Sequence, residues 1–220
     1  MSLTRESLEA GLASTDQSVR LNVALMAGTY PIPDFIETLV LRCEIESDFF
    51  VRDMMTWALI RNDHVKVIER LKPELLSTKP QARSQSLHTL TKIGDKTTYP
   101  LVSKNLMFDS DDIVAMTAWR AASLLVPEDQ VHILIPALLS QLGRGSFDVQ
   151  VALSKSLCNL GDAIIEPLAK AGKSENEVIQ EHVAFTLRLF KNPELARKLA
   201  SDFAERVKAL KGAPVDQTLI

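Results

Sequence analysis

The decapeptide Ile93–Val102, IGDKTTYPLV, comes back as LGDAIIEPLA at Leu160–Ala169, with Gly94 answering to Gly161, Asp95 to Asp162 and Pro100 to Pro167. A Gly-Asp turn with Pro-Leu five residues on marks the stop of one helix and the start of the next. Glycine closes helix C-termini, and proline fits a first helical turn, where its missing N–H is not needed. A chain that repeats this junction reads as a row of helical hairpins, each burying its apolar face against its neighbours.

Aligned on a residue pair in the first turn of each first helix, the units begin at Val19-Arg20, Val51-Arg52, Ala82-Arg83, Ile113-Val114, Val149-Gln150 and Ile179-Gln180, in steps of 32, 31, 31, 36 and 30 residues. Residues able to cap a helix precede each pair: Asp16, Asp48, Thr78 before Pro80, Ser110 with Asp111 and Asp112, Ser146, and Ser174, the last with Glu177 at capping-box spacing. Counted from the second residue of the pair, positions -1, +3, +7 and +10 are largely apolar. They are Val19, Val23, Ala27 and Tyr30 in the first unit and Val149, Leu153, Leu157 and Leu160 in the fifth, with Ser86 and Thr117 as small exceptions. At about 100° per residue these positions share one side of a helix, and the stripe is expected to be buried. Second helices are expected at Pro33–Glu44, Asp63–Leu76, Thr98–Met107, Gln130–Leu142, Ala163–Ala171 and Pro193–Leu210. The organisation is then a single domain over 1–210, with a capping helix in 1–15, six repeats in 16–210, and a disordered tail over 211–220.

With 25 basic and 28 acidic residues the formal net charge is -3, which argues against a general nucleic-acid binder, since phosphate needs a basic surface. Cys43 and Cys158 sit far apart in apolar helical patterns and read as small core residues in a reducing compartment. No run approaches the ~18 apolar residues of a membrane span, and no leader pattern opens the chain, so a cytoplasmic location is expected.

Asp16 with Val19-Arg20, Asp48 with Val51-Arg52, and the Gly-Asp turns followed by Pro-Leu resemble the HEAT repeat, in the shorter form shared with bacterial phycobilin lyases. The resemblance runs from about Ser14 to Leu210. It implies an all-α fold, a right-handed α-α superhelix (a HEAT-like solenoid) of about six helical hairpins, with first helices on the convex side and second helices on the concave side that often grips another protein. The functional expectation is a non-catalytic scaffold or adaptor for another protein or peptide, with no cofactor, metal or small-molecule substrate. Val114, Gln150 and Gln180 stand where the family has arginine, and Lys79 where it has aspartate, so the later units are expected to have a weaker polar ladder. The same family holds alkylpurine DNA glycosylases, faintly echoed by Trp57 with Arg61 and Asp63, or by Trp119 near Asp111 and Asp112. A phycobilin lyase-like chaperone is a second alternative.

Three sets of residues are candidates for function. Arg20, Arg52 and Arg83 form one column, with Asp16 and Asp48 four residues before the first two, and are expected to act as a structural ladder between hairpins. Five places beyond the aligned arginine come Leu25, Trp57, His88, Trp119, Lys155 and Phe185, opposite the buried stripe. That register predicts an exposed row with both tryptophans and His88, suited to partner binding. The second helices supply Arg42, Arg70, Lys104 and Lys170, interleaved with Glu37, Glu44 and Glu166, as an alternative concave surface for an acidic peptide. The four histidines fall in different units and no metal-ligand spacing occurs, so no catalytic or metal residues are expected. The ending Thr218-Leu219-Ile220 resembles a PDZ ligand.

Overall fold

The computed structural model describes residues 3–192, 194, 195 and 198, and every regular element among them is helical. The chain divides into two units, Met1–Gln141 and Leu142–Ile220. In the first, α1 (Arg5–Leu12) precedes four hairpins: α2 (Gln17–Thr29) with α3 (Phe35–Cys43), α4 (Phe49–Ile60) with α5 (His64–Glu74), α6 (Pro80–Ile93) with α7 (Lys104–Met107), and α8 (Asp112–Leu125) with α9 (Val131–Leu139). The second holds α10 (Phe147–Cys158) with α11 (Ile165–Ala171), followed by α12 (Glu177–Lys191). Within each unit the hairpins follow one another in chain order, the arrangement of an all-α solenoid of helical repeats. Apart from Glu194, Leu195 and Lys198, the expected last helix from Pro193 to Leu210 lies outside the described residues, as do the tail from Lys211 and the ending Thr218-Leu219-Ile220.

Capping sets the register of the first helices. Asp16, Asp48, Asp111 and Asn176 are N-caps whose side chains accept from backbone N–H groups of the first turn. Lys79 and Ser146 hold the same place without a side-chain bond, and Pro80 opens α6 instead. The expected box at Ser174 and Glu177 does not form, because Ser174 Oγ accepts from Asn176 N–H and Asn176 becomes the cap. A true capping box lies at Thr4 and Ser7. At the helix ends, Gly94 (φ 73°) and Gly161 (φ 65°) take the left-handed conformation that the repeated Gly-Asp turn implies. The expected helix over Thr98–Met107 is broken: Pro100 sits in a 3-10 turn over Lys96–Leu101, and only Lys104–Met107 is α-helical.

Counting from the N-caps corrects the fourth unit by one residue. Val51, Ala82, Val149 and Ile179 each lie three places beyond their cap, and the residue three beyond Asp111 is Val114, not Ile113. The buried stripe of α8 accordingly runs through Val114, Ala118, Ala121 and Leu125, while Ile113 and Leu124 are exposed. On α2 the buried positions are Arg20, Ala24, Ala27 and Gly28, leaving Val19 and Tyr30 exposed. The reason is close approach by α4: a Cβ on Gly28 would stand 2.1 Å from Trp57 Cζ3 and 3.0 Å from Ala58 Cα, so only glycine lets the two helices lie this close.

The arginine column is a ladder, but Asp16 and Asp48 are not its partners. Both carboxylates are spent on their own helix N-termini. Arg20 instead grips Glu46 with two bonds (Nε to Oε2 2.8 Å, Nη2 to Oε1 3.0 Å), and Arg83 grips Asp109 in the same way (2.8 and 3.0 Å). Each acid stands two residues before the next first-helix N-cap and also accepts that cap's N–H, at 2.9 Å from Asp48 and from Asp111. The third guanidinium nitrogen reaches back to the carbonyl six residues earlier: Arg20 to Ser14 (2.9 Å), Arg52 to Glu46 (2.7 Å) and Arg83 to Ser77 (2.8 Å). Gln180 repeats that last bond to Ser174 at 2.6 Å, while the fourth unit has Ala115 at this place and cannot. One side chain thus ties its own linker and the start of the next repeat.

Glu46 is 1% exposed and also receives Arg42 Nη2 at 2.9 Å. Burial alone raises a carboxyl's pKa, but the bonds from Arg20, Asp48 N–H and Arg42 outweigh it and hold Glu46 below the usual carboxylate range. In the second unit His182 is buried. Its Nδ1 accepts Gly143 N–H at 3.0 Å, and Nε2 lies 2.9 Å from Gln150 O and 3.1 Å from Ser154 Oγ. The accepting Nδ1 fixes a neutral ring, and burial pushes its pKa down.

Two predictions follow from these linkages. Glu46→Gln leaves Arg20 and Arg42 without their carboxylate and is expected to cost about 3 kcal/mol in urea unfolding at pH 7. Because the folded-state pKa is lowered, this contribution is present above the unfolded value near 4.5 and is lost as pH falls through the folded one. The variant should therefore show a flatter acid limb than wild type, and parallel limbs would refute the assignment. His182, also depressed, stabilises above its ordinary value of 6.5 and loses that contribution as pH falls. His182→Leu should flatten the decline of melting temperature between pH 7 and 5.

Candidate functional site

The helices of the first unit are not evenly spaced. α2 lies along α4 and α6 lies along α8, whereas α4 and α6 meet over a much shorter stretch. Gln85 Nε2 of α6 donates to Thr56 Oγ1 of α4 (2.9 Å), and Gln81 Nε2 of α6 donates to Cys43 O at the end of α3 and to Glu46 O in the linker before α4 (2.8 Å each). Above this seam opens a groove of about 540 Å³, bounded by Phe49, Arg52 and Asp53 of α4, His88 of α6, and Ile113 and Thr117 of α8. Phe49 and Ile113 are exposed although large and apolar, and Phe50 stacks edge-on against Phe49 at 5.6 Å.

Of the expected aromatic row, Trp119 is corrected. It is 0% exposed, and its indole Nε1 donates to Met107 O at 2.8 Å. The cause is the one-residue slip noted above, since Trp119 lies eight places beyond its N-cap, in line with the buried Ala24, Thr56, Leu87 and Ser154. A helix turns about 100° per residue, so one place separates core from surface. The outer column nine places beyond the cap holds Trp57, His88 and Arg120. Trp57 is half-buried over Gly28, and His88 lines the groove with Nε2 3.7 Å from Asp53 Oδ1. Burial lowers the pKa of His88, as do the charges of Lys92 and Arg120, against the pull of Asp53.

The second-helix cations are mostly engaged. Arg42 is bonded to Glu46, and Arg70 is bonded to Glu37 and Glu74. Lys104 is exposed with its ammonium 5.3 Å from the Phe108 ring, and Lys170 is exposed on α11 in the other unit. An acidic peptide would have to displace internal carboxylates to reach Arg42 or Arg70. Phe49, Ile113, Gln81 and Gln85 escaped the sequence reading. Only the consecutive Phe49-Phe50 in an exposed first turn signalled anything.

Ser84, His88 and Asp53 all border the groove, yet they do not form a nucleophile and base. Ser84 Oγ donates to Gln81 O at 3.2 Å, and the His88 to Asp53 separation exceeds a hydrogen bond. Burial pushes the thiols of Cys43 and Cys158 up to about 12 and about 11, so both stay protonated at neutral pH. Among the described residues, no group of three or more His, Cys, Asp or Glu side chains is placed to hold a metal, and no helix is long and apolar enough to cross a membrane.

No protein-family model and no curated protein matches the sequence. Among solved structures, the chain is similar to an engineered protein at 19% identity, covering 85% of this chain and 96% of that one with a TM-score of 0.43. It is also similar to the complex of CpcE and CpcF of phycocyanin lyase from Nostoc sp. PCC7120 at 20% identity, covering 87% and 79% with a TM-score of 0.44.

The two tryptophans differ enough to be told apart in solution. With Trp119 alone (Trp57→Phe) the emission should be blue-shifted and resistant to acrylamide, and with Trp57 alone (Trp119→Phe) it should be redder and more readily quenched. Equal spectra would contradict the placement. Trp119→Ala should also destabilise by about 3–5 kcal/mol.

Proposed function

We propose that this chain is a HEAT-type repeat protein that acts as a non-catalytic binding scaffold, and that it receives an extended segment of a partner protein in the groove between α4 and α6. The observation that carries the reading is a groove of about 540 Å³ with a polar floor and the exposed apolar side chains of Phe49 and Ile113 at its rim. That volume suits a few residues of peptide, with apolar anchors at the edge and polar groups to fix their direction. The stacked helices are already ordered, so a partner bound there would not have to organise the surface it meets. The HEAT assignment draws its support from the paired Asp and Arg four residues apart at Asp16 and Arg20 and at Asp48 and Arg52, together with the left-handed glycine at the recurring turn. The non-catalytic reading is favoured by the engaged hydroxyl of Ser84 and the protonated thiols. We place the protein in the cytoplasm, where the free thiols of Cys43 and Cys158 stay reduced.

Selection of random phage-displayed peptides on the immobilised chain tests this. Enriched peptides are expected to lose binding at least tenfold when Thr117→Arg fills the groove, and to protect α4 and α6 from amide exchange. Peptides indifferent to that substitution, or protection confined to the second helices, would move the binding surface elsewhere.

A further inference from the structure

Three first helices of the first unit carry arginine four residues beyond the N-cap: Arg20, Arg52 and Arg83. For Arg20 and Arg83 the fork is closed by Glu46 and Asp109, the residues two places before the next N-cap. For Arg52 the corresponding residue is Ser77, whose Oγ accepts Lys79 N–H at 3.2 Å and supplies no charge. Arg52 spends only Nη1, on Glu46 O, and its Nε and Nη2 have no partner among the described residues. Among the first helices of the first unit, the seam between α4 and α6 packs over the shortest stretch, and Arg52 borders the groove that opens there.

Among residues 3–141, Arg5, Arg20, Arg42, Arg70 and Arg83 are all paired to carboxylates. Arg52, Arg61 and Arg120 are not, and neither are Lys66, Lys92, Lys96 and Lys104. Lys92 stands one helical turn beyond His88 on α6, and Arg120 occupies the place on α8 that His88 has on α6. Asp53, whose side chain is half exposed, also borders the groove, as does Asp111, whose carboxylate caps α8. Arg52 is the cation of the groove's own lining, and Lys92 and Arg120 stand close enough to His88 to lower its pKa.

We infer that Arg52 receives a carboxylate from an acidic segment of a partner protein, which takes the place that Glu46 and Asp109 hold in the neighbouring repeats, while further acids of the segment face Lys92 and Arg120. A guanidinium fork matches a carboxylate with two parallel bonds, the geometry this protein already uses at Arg20, Arg70 and Arg83. The inference rests on the groove being the binding surface and adds the chemistry of what enters it.

The test uses the full chain and a fluorescein-labelled peptide of alternating glutamate and leucine, followed by anisotropy. Companion probes carry glutamine or lysine for glutamate, and a single-stranded oligonucleotide of equal charge completes the set. The glutamate peptide should bind at least tenfold more tightly than the glutamine peptide and weaken as salt rises. Ser77→Asp should close the third fork from within, raise the melting temperature or leave it unchanged, and weaken the glutamate peptide about tenfold or more. Arg120→Gln should weaken it several-fold without changing the melting temperature. Unchanged binding by Ser77→Asp, or tighter binding of the oligonucleotide or the lysine peptide, would overturn the inference. If the glutamine peptide binds as well as the glutamate one and both are lost on Thr117→Arg, the carboxylate is refuted while the groove stands. If no peptide binds at all, the carboxylate is refuted and the groove is judged by the phage-selected peptides alone.

Discussion

Each helical repeat touches only its neighbours in the stack, so each junction must fix its own geometry. At two junctions of the first unit this is done by an arginine fork closed on a carboxylate. Arg20 with Glu46, and Arg83 with Asp109, each join a first helix to the linker that starts the next one, and the same acid holds the cap N–H of that helix. The bond is directional and sits where water is largely excluded, so it sets orientation as well as proximity. Glu46 shows how far the arrangement goes: two arginines and a backbone N–H converge on one nearly inaccessible carboxylate.

The same column explains where the surface opens. Between α4 and α6 the acid is replaced by Ser77, the packing is short, and Gln85 bridges the helices through Thr56. Amides satisfy buried polar groups, but they do not draw helices together as apolar burial does. The large apolar side chains at the rim, Phe49 and Ile113, stay in solvent beside the groove.

Much of the architecture was legible in the chain. Gly94 and Gly161, with their Asp neighbours, located two helix ends, and Asp16 and Asp48 located two beginnings, because these residues act through their own backbone within a few positions. The partners of Arg20 and Arg83 were not legible. Both lie 26 residues away and meet their arginines only once the repeats are stacked. Trp119 was misplaced because Ile113-Val114 was matched to Val51-Arg52, a slip of one residue that the true cap, Asp111, removes. Pro100 was read as a helix start and instead sits within a 3-10 turn that shortens α7 to a single turn. The groove depends on how well two helices pack, and no local pattern reports that.

Gly28 lets Trp57 lie flat between α2 and α4, so those two repeats interlock as one brick, and α6 with α8 makes another. From Asp16 to Lys79, the first caps of the two bricks, is 63 residues, twice the length of a single hairpin. Lengthening or shortening such a molecule without damage means adding or removing a brick, since cutting within one would strand Trp57 without its glycine. Tandem duplications that kept the molecule sound would thus be expected to come in double measures, with the mortar line at Ser77.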